Sequence, residues 1–145
     1  MNEPYPKRHD YIGMKNMKIK WPLIAIGSCL GLVHGILSLF GIVQGWETVG
    51  WLSAAVVAIT LSGISSGAPF LHGLLMGLCI TLFTGLTQGL FIDLYLQSNP
   101  MYKEGLDPNQ DYRMFVFRFI PVFGSIYGAV IGGLSWALHR VLAQF

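Results

Sequence analysis

The segment from Pro69 to Leu96 has no charged side chain before Asp93. At about 1.5 Å per helical residue, the stretch from Pro69 to Asp93 covers roughly 36 Å, which is more than the ~30 Å hydrocarbon core of a bilayer. The segment therefore predicts a tilted transmembrane helix. Its small and weakly polar residues recur three or four positions apart and share one helix face, which indicates a surface that contacts protein rather than lipid. These residues are Gly73, Gly77, Thr81, Thr84, Gly85, Gln88 and Gly89.

The composition places the whole chain in the same class. Of its 145 residues, 53% are hydrophobic and only 11% are charged, whereas about a quarter of the residues in a soluble domain are charged. The sequence therefore predicts an integral membrane protein whose first partner is the lipid bilayer. A net charge of +2 is too small to indicate a nucleic-acid partner.

Four apolar segments predict an all-α fold, a glycine-rich bundle of four transmembrane helices. We expect a polar cytoplasmic tail over residues 1–20 and a transmembrane domain over residues 21–145, with helices at about 22–44, 49–64, 69–96 and 119–142. A loop over residues 97–118 joins the last two helices. Aromatic residues alternate with other side chains at 114–119, which fits a short strand or an aromatic belt at the membrane interface, and we favour the belt.

The distribution of basic residues predicts the orientation. The N-terminal tail carries five Lys or Arg residues and the last helix adds Arg140, whereas the long loop carries three and the turn after the first helix none. Because basic residues favour the cytoplasmic side, six against three places both termini in the cytoplasm. The protein is thus predicted to be a multi-pass cell-membrane protein with loop 97–118 extracytoplasmic.

Glycine recurs at helix-packing spacing in three of the four segments. Small residues four apart let helix backbones approach closely, and one bundle can bury only some of these faces internally. The surplus predicts a homo-oligomer or a larger membrane complex. The helix-packing candidates are Gly27, Gly31 and Gly35, then Gly73, Gly77, Gly85 and Gly89, and finally Gly124, Gly128 and Gly132.

A few polar side chains within the apolar segments form a candidate polar path. His34 falls near the middle of the first helix, where an ionisable group is a functional candidate. The simpler reading, which we favour, is a neutral imidazole bonded to a hydroxyl or carbonyl of a neighbouring helix. The glutamines either hold helices together or line a small watery cavity. The candidate path consists of His34, Gln44, Thr84, Gln88 and Asp93.

Two other histidines are weak haem candidates. His72 and His139 each fall near the cytoplasmic end of a helix, and two histidines at one level can ligate a haem from opposite sides. Histidines at membrane interfaces are more often simple border residues. We therefore predict no cofactor and no metal site.

No catalytic residues are predicted, because the chain contains none of the common nucleophile, zinc or phosphate-binding motifs. We expect a protein that is not an enzyme. The leading hypothesis is a structural or accessory membrane subunit that acts through glycine-mediated helix packing. The alternatives are a homo-oligomeric channel or transporter for a small solute and, third, a haem-bearing membrane anchor.

Overall fold

The structure, a computed structural model, describes residues 18–65, 67–104, 106–107 and 110–145. All regular secondary structure in these ranges is helical, which confirms the predicted all-α class. Four of the helices are long and apolar enough to cross a membrane. Most of the predicted tail, residues 1–17, lies outside the described residues. The helices are α1 Trp21–Leu39, α2 Glu47–Ile64, α3 Pro69–Leu90, α4 Ile92–Ser98, α5 Pro100–Lys103 and α6 Tyr112–Leu142.

Helix α1 ends at Leu39, earlier than the predicted end near residue 44. Gly41 stops it, because its φ of +68° is the left-handed conformation that glycine adopts without strain. The N–H of Ile42 donates to the Leu37 carbonyl at 3.1 Å and the N–H of Gly41 donates to the Ser38 carbonyl at 3.0 Å. This pair of bonds is the Schellman motif that commonly ends a helix at glycine.

The predicted helix over 69–96 is interrupted at Phe91, where φ is −113° and ψ is 38°. The chain then continues as the short helices α4 and α5 within what was expected to be helix end and loop. The amide nitrogen of Asn99 donates to the carbonyls of Ser38 and Tyr95 at 2.9 and 2.8 Å. These hydrogen bonds link the end of α4 to α1. Apolar periodicity in the sequence does not predict such contacts.

Helix α6 begins at Tyr112, well before the predicted start near Phe119. The Asp111 side chain caps it, accepting hydrogen bonds from the backbone N–H groups of Arg113 and Met114 at 3.0 and 3.3 Å. An aspartate at this position satisfies backbone donors that a helix start leaves free. The alternating segment 114–119 is consequently helical and neither strand nor loop.

The four long helices alternate in direction and pack as one bundle. α1 and α3 run parallel, α2 and α6 run parallel, and the two pairs are antiparallel to each other. Both ends of the described chain lie at one end of the bundle, the termini end, and the other is the Glu47 end, where α2 begins. The pairs that establish these directions are Gly27 with Met76, Gly35 with Thr87, Gly73 with Gly132, Gly89 with Phe117, Gly63 with Leu138 and Trp51 with Tyr127.

All ten candidate packing glycines are buried, and each faces another helix of the same chain. Those of α1 face α3, those of α3 face α6, and those of α6 face α3. A single chain therefore occupies the faces that were expected to be left over for a partner. The remaining interior, in the middle and termini half of the bundle, is filled by the apolar side chains of Ile24, Ala54, Ala58, Met76, Ile80 and Ile131.

Candidate functional site

Glu47 is the acceptor at the centre of a polar cluster at the Glu47 end. It lies in the first turn of α2, where a negative charge is favoured by the helix dipole. Its Oε1 accepts hydrogen bonds from the hydroxyls of Ser38 and Tyr95 at 3.1 and 3.3 Å. Its Oε2 accepts one from the Tyr102 hydroxyl at 3.0 Å. One carboxylate thus joins α1, α2, α4 and α5.

Two side-chain amides surround this centre. Gln88 of α3 donates from Nε2 to the Ser38 hydroxyl oxygen at 2.9 Å. Asn99, whose exposed fraction is 0%, uses its nitrogen on the Ser38 and Tyr95 carbonyls. Those two contacts fix the orientation of the amide, because the reversed amide would set oxygen against oxygen. The Oδ1 atom of Asn99 is therefore left buried, with no hydrogen-bond donor among the described residues.

His34 lies one helical turn before Ser38 and is 7% exposed. Its ring contacts Trp51 edge to face at a centroid distance of 5.1 Å. The ring fits because residue 50 is glycine: a Cβ atom there would lie 2.6 Å from Nδ1 of His34. Nε2 of His34 is buried and has no hydrogen-bond partner in the part of the chain that the structure describes. We define the Glu47 cluster as His34, Ser38, Glu47, Gln88, Tyr95, Asn99 and Tyr102.

The negative charge of Glu47 has no basic partner within the described ranges, where the one ion pair joins Arg113 to Asp93 at 3.3 Å. Burial first, and then the charge of Glu47, raises the pKa of the Tyr95 hydroxyl above its ordinary range. Burial and the hydrogen bond to Glu47 likewise raise the pKa of Tyr102. Both tyrosines consequently remain protonated donors at neutral pH.

The cluster has more acceptor capacity than donors. Neutral hydroxyls approach the Glu47 carboxylate without cancelling its charge, and no described residue donates to Asn99 Oδ1. A cluster of this kind favours a cation, since the Glu47 charge has no basic partner among the described residues and an unpaired oxygen is costly where it is buried, as Asn99 Oδ1 is. Within the described residues no three His, Cys, Asp or Glu side chains gather to hold a metal. The groups that contact the Glu47 carboxylate are hydroxyl oxygens.

The residues of the candidate polar path do not line one continuous route through the bundle. His34 and Gln88 belong to the Glu47 cluster, whereas the Thr84 hydroxyl donates to the Gly31 carbonyl at 2.9 Å and joins α3 to α1. The Asp93 side chain is 92% exposed and pairs with Arg113. Gln44 lies half-buried in the turn after α1. The structure therefore keeps two of the five path residues in one site.

The two haem candidates are engaged in different ways. His72 is fully buried, and its Nε2 accepts a hydrogen bond from the Lys20 backbone N–H at 2.8 Å. Its Nδ1 lies 2.8 Å from the Ala68 carbonyl and donates to it. Both ring nitrogens are used, so His72 has none left to ligate an iron. His139 uses Nδ1 on the Gly63 carbonyl at 3.0 Å.

Sequence reasoning missed most of the cluster. Glu47 carried one usable signal, because it is the only acidic residue between Asp10 and Asp93. The sequence carries no such signal for Tyr95, Asn99 and Tyr102, because its pattern predicts a helix end and a loop at these positions. Their partners lie far away along the chain and come together only in the folded bundle.

Comparison of the chain with protein-family models, curated proteins and solved structures finds no match in any of the three. The chemistry of the Glu47 cluster is thus the observation from which a function can be argued.

Proposed function

We propose that this is a multi-pass cell-membrane protein that binds a small monovalent cation at the Glu47 cluster and transports it. The observation that carries the proposal is the Glu47 carboxylate, which receives three hydroxyl hydrogen bonds and no ion pair from the described residues. This choice favours the solute hypothesis over the accessory subunit. The glycine faces that motivated the accessory subunit are occupied within one chain.

The chemistry of the cluster supports a monovalent ion or a small ammonium group. One carboxylate supplies one negative charge, which a single positive charge balances. The neutral ligands within reach of that carboxylate are hydroxyl oxygens of Ser38, Tyr95 and Tyr102, and oxygen ligands suit hard cations. Asn99 Oδ1, which is buried and accepts from no described residue, adds a further acceptor for an N–H donor or an ion.

The packing of the bundle supports a carrier rather than an open channel. Apolar side chains, among them Met76, Ile80 and Ile131, fill the middle of the bundle and its termini half. A cation at Glu47 therefore meets a closed interior, and crossing requires the helices to move. With both termini in the cytoplasm, as the basic residues favour, the cation enters from the extracytoplasmic side.

The experiment is a thermal unfolding series in detergent with sodium, potassium or methylammonium chloride. N-methylglucamine chloride at the same ionic strength is the reference. A ligand that binds the folded protein at a hundred times its Kd adds about 2.7 kcal/mol to the unfolding free energy. We expect a higher Tm with at least one small cation for the wild type. Glu47→Gln should abolish that shift.

The matched control is Asp93→Asn, which removes one carboxylate from the same end of the bundle but outside the cluster, and it should keep the shift. Uptake of the effective cation into proteoliposomes then separates transport from binding. Equal Tm values in all four salts, or the same shift in Glu47→Gln, would contradict the binding proposal. The accessory-subunit hypothesis would then return to first place, with the cluster as an internal structural contact.

A further inference from the structure

A cavity of about 250 Å³ lies between α2, α3 and α6. Four aromatic side chains form one wall, Trp51 of α2 and Phe115, Phe119 and Phe123 of α6. It contains no Glu47-cluster residue other than Gln88. The cavity therefore adjoins the Glu47 cluster at Gln88 and is otherwise lined by different residues.

The aromatic wall is held in place by its neighbours. Phe115, Phe119 and Phe123 follow each other one turn apart along α6 and stack at centroid distances of 5.9 and 5.6 Å. The Trp51 ring stands at 80° to Phe123 and at 81° to Tyr127. Offset and edge-to-face contacts of this kind are favourable ring arrangements, so the wall is preformed.

The opposite wall belongs to α3 and carries three polar side chains, Thr81, Thr84 and Gln88. Its Thr81 hydroxyl donates to the Gly77 carbonyl at 3.0 Å, and its Thr84 hydroxyl donates to the Gly31 carbonyl at 2.9 Å. Gln88 uses its amide nitrogen on Ser38. Both threonine hydroxyl hydrogens are already used in these bonds. The groups of this wall that remain available to a ligand are mainly oxygen lone pairs, including those of the Gln88 carbonyl oxygen.

We propose that this cavity binds a small aromatic molecule that carries one hydrogen-bond donor, such as a phenol. A cavity of about 150 Å³ accommodates benzene, so the larger volume here suits one substituted ring or a fused pair. Stacking against the phenylalanine wall favours a flat ring. A donor on the ring is favoured because the Thr81 and Thr84 hydroxyls already use their hydrogens and can only accept a hydrogen bond from a bound molecule.

Quenching of Trp51 fluorescence tests the proposal. The protein has four tryptophans, and Trp51 is the one that lines the cavity, so the other three are changed to phenylalanine. The protein is placed in lipid nanodiscs and titrated with 4-bromophenol or with 4-bromotoluene, in which a methyl group replaces the hydroxyl. We expect saturable quenching by 4-bromophenol and at least tenfold weaker saturable quenching by 4-bromotoluene.

Two variants of α6 locate the quencher. Val116 lines the cavity, and Val116→Phe fills it, so the saturable component should disappear. Val122 is 57% exposed on the same helix away from the cavity, and Val122→Phe should preserve the saturable component. Neither change touches Glu47, so this result is independent of the cation site.

Three outcomes overturn the proposal. One is quenching that rises linearly with 4-bromophenol and is unchanged in Val116→Phe, which indicates partition into lipid. Another is equal saturation by both probes, which removes the requirement for a donor. The third is strong quenching of Trp51 by phosphatidylcholine with brominated chains, lost in Val116→Phe, which assigns the cavity to a lipid tail.

Discussion

A Cβ atom placed on Gly77 would lie 2.6 Å from the Cα atom of Gly128, so no side chain fits between α3 and α6 at this point. The two backbones meet because neither residue has a side chain to separate them. One turn along each helix, Gly73 and Gly132 repeat the arrangement, with a corresponding distance of 2.8 Å. A Cβ atom on Gly31 would likewise meet the backbone of Ile80, so at both the α3–α6 and the α1–α3 contacts one added methyl group forces two backbones apart.

Two adjacent glycines of α6 should differ strongly in their response to alanine. A Cβ atom on Gly132 would lie 2.7 Å from the Phe70 carbonyl oxygen, a backbone atom that cannot turn away, whereas one on Gly133 meets nothing within 4 Å. We expect Gly132→Ala to cost about 1–3 kcal/mol of unfolding free energy and Gly133→Ala to be nearly neutral. Equilibrium unfolding with SDS in mixed micelles measures both, and equal losses would contradict the described packing of α6.

Removal of one hydroxyl should loosen the α4 and α5 segment. Tyr102→Phe deletes the 3.0 Å hydrogen bond to the Glu47 carboxylate, and its cost is about 1 kcal/mol because a charged acceptor is involved but the site is only partly buried. Hydrogen exchange over residues 92–103 should accelerate. Tyr112→Phe is the control, and similar acceleration there would show that the effect is not specific to the cluster.

The alkaline limit of stability should depend on Tyr95. Because burial and the Glu47 charge raise its pKa in the folded protein, the stabilisation is complete below the ordinary tyrosine pKa of about 10 and is lost as the pH rises toward the folded value. Tyr95→Phe should therefore lose less stability than the wild type above about pH 10. In a tyrosinate absorbance titration, the wild type should show one more tyrosine than Tyr95→Phe, and that tyrosine should ionise above the ordinary pKa. If the difference between the two titration curves appears at the ordinary tyrosine pKa, the prediction is wrong.

The ion pair at the Glu47 end should contribute little. Arg113 and Asp93 are 3.3 Å apart, but their side chains are 47% and 92% exposed, so solvent screens the attraction. We expect Asp93→Asn to change the unfolding free energy by less than about 0.5 kcal/mol. A loss as large as that of Gly132→Ala in the same SDS titration would mean that this pair has a role in holding α6 to α4.

Local signals in the sequence predicted the bundle well and the Glu47 cluster poorly. The apolar segments and the glycine spacing follow from neighbouring residues, and so could be read directly. Glu47 instead finds its partners 9, 48 and 55 positions away, at Ser38, Tyr95 and Tyr102. Asn99 was assigned to a loop, yet it is completely buried. Contacts between residues so far apart leave no periodic pattern in the sequence.

The sequence by itself determined that the chain forms apolar helices and that their glycine faces pack against other helices. The length of an apolar segment and the spacing of its small residues are local properties of the sequence. Only the tertiary structure decided that those faces meet within one chain and that α4 crosses the end of the bundle. The physical reason is the same in both cases. Close backbone approach and hydrogen bonds to Glu47 are contacts between residues that lie far apart in the sequence. Those contacts stabilise the fold only once the helices have packed.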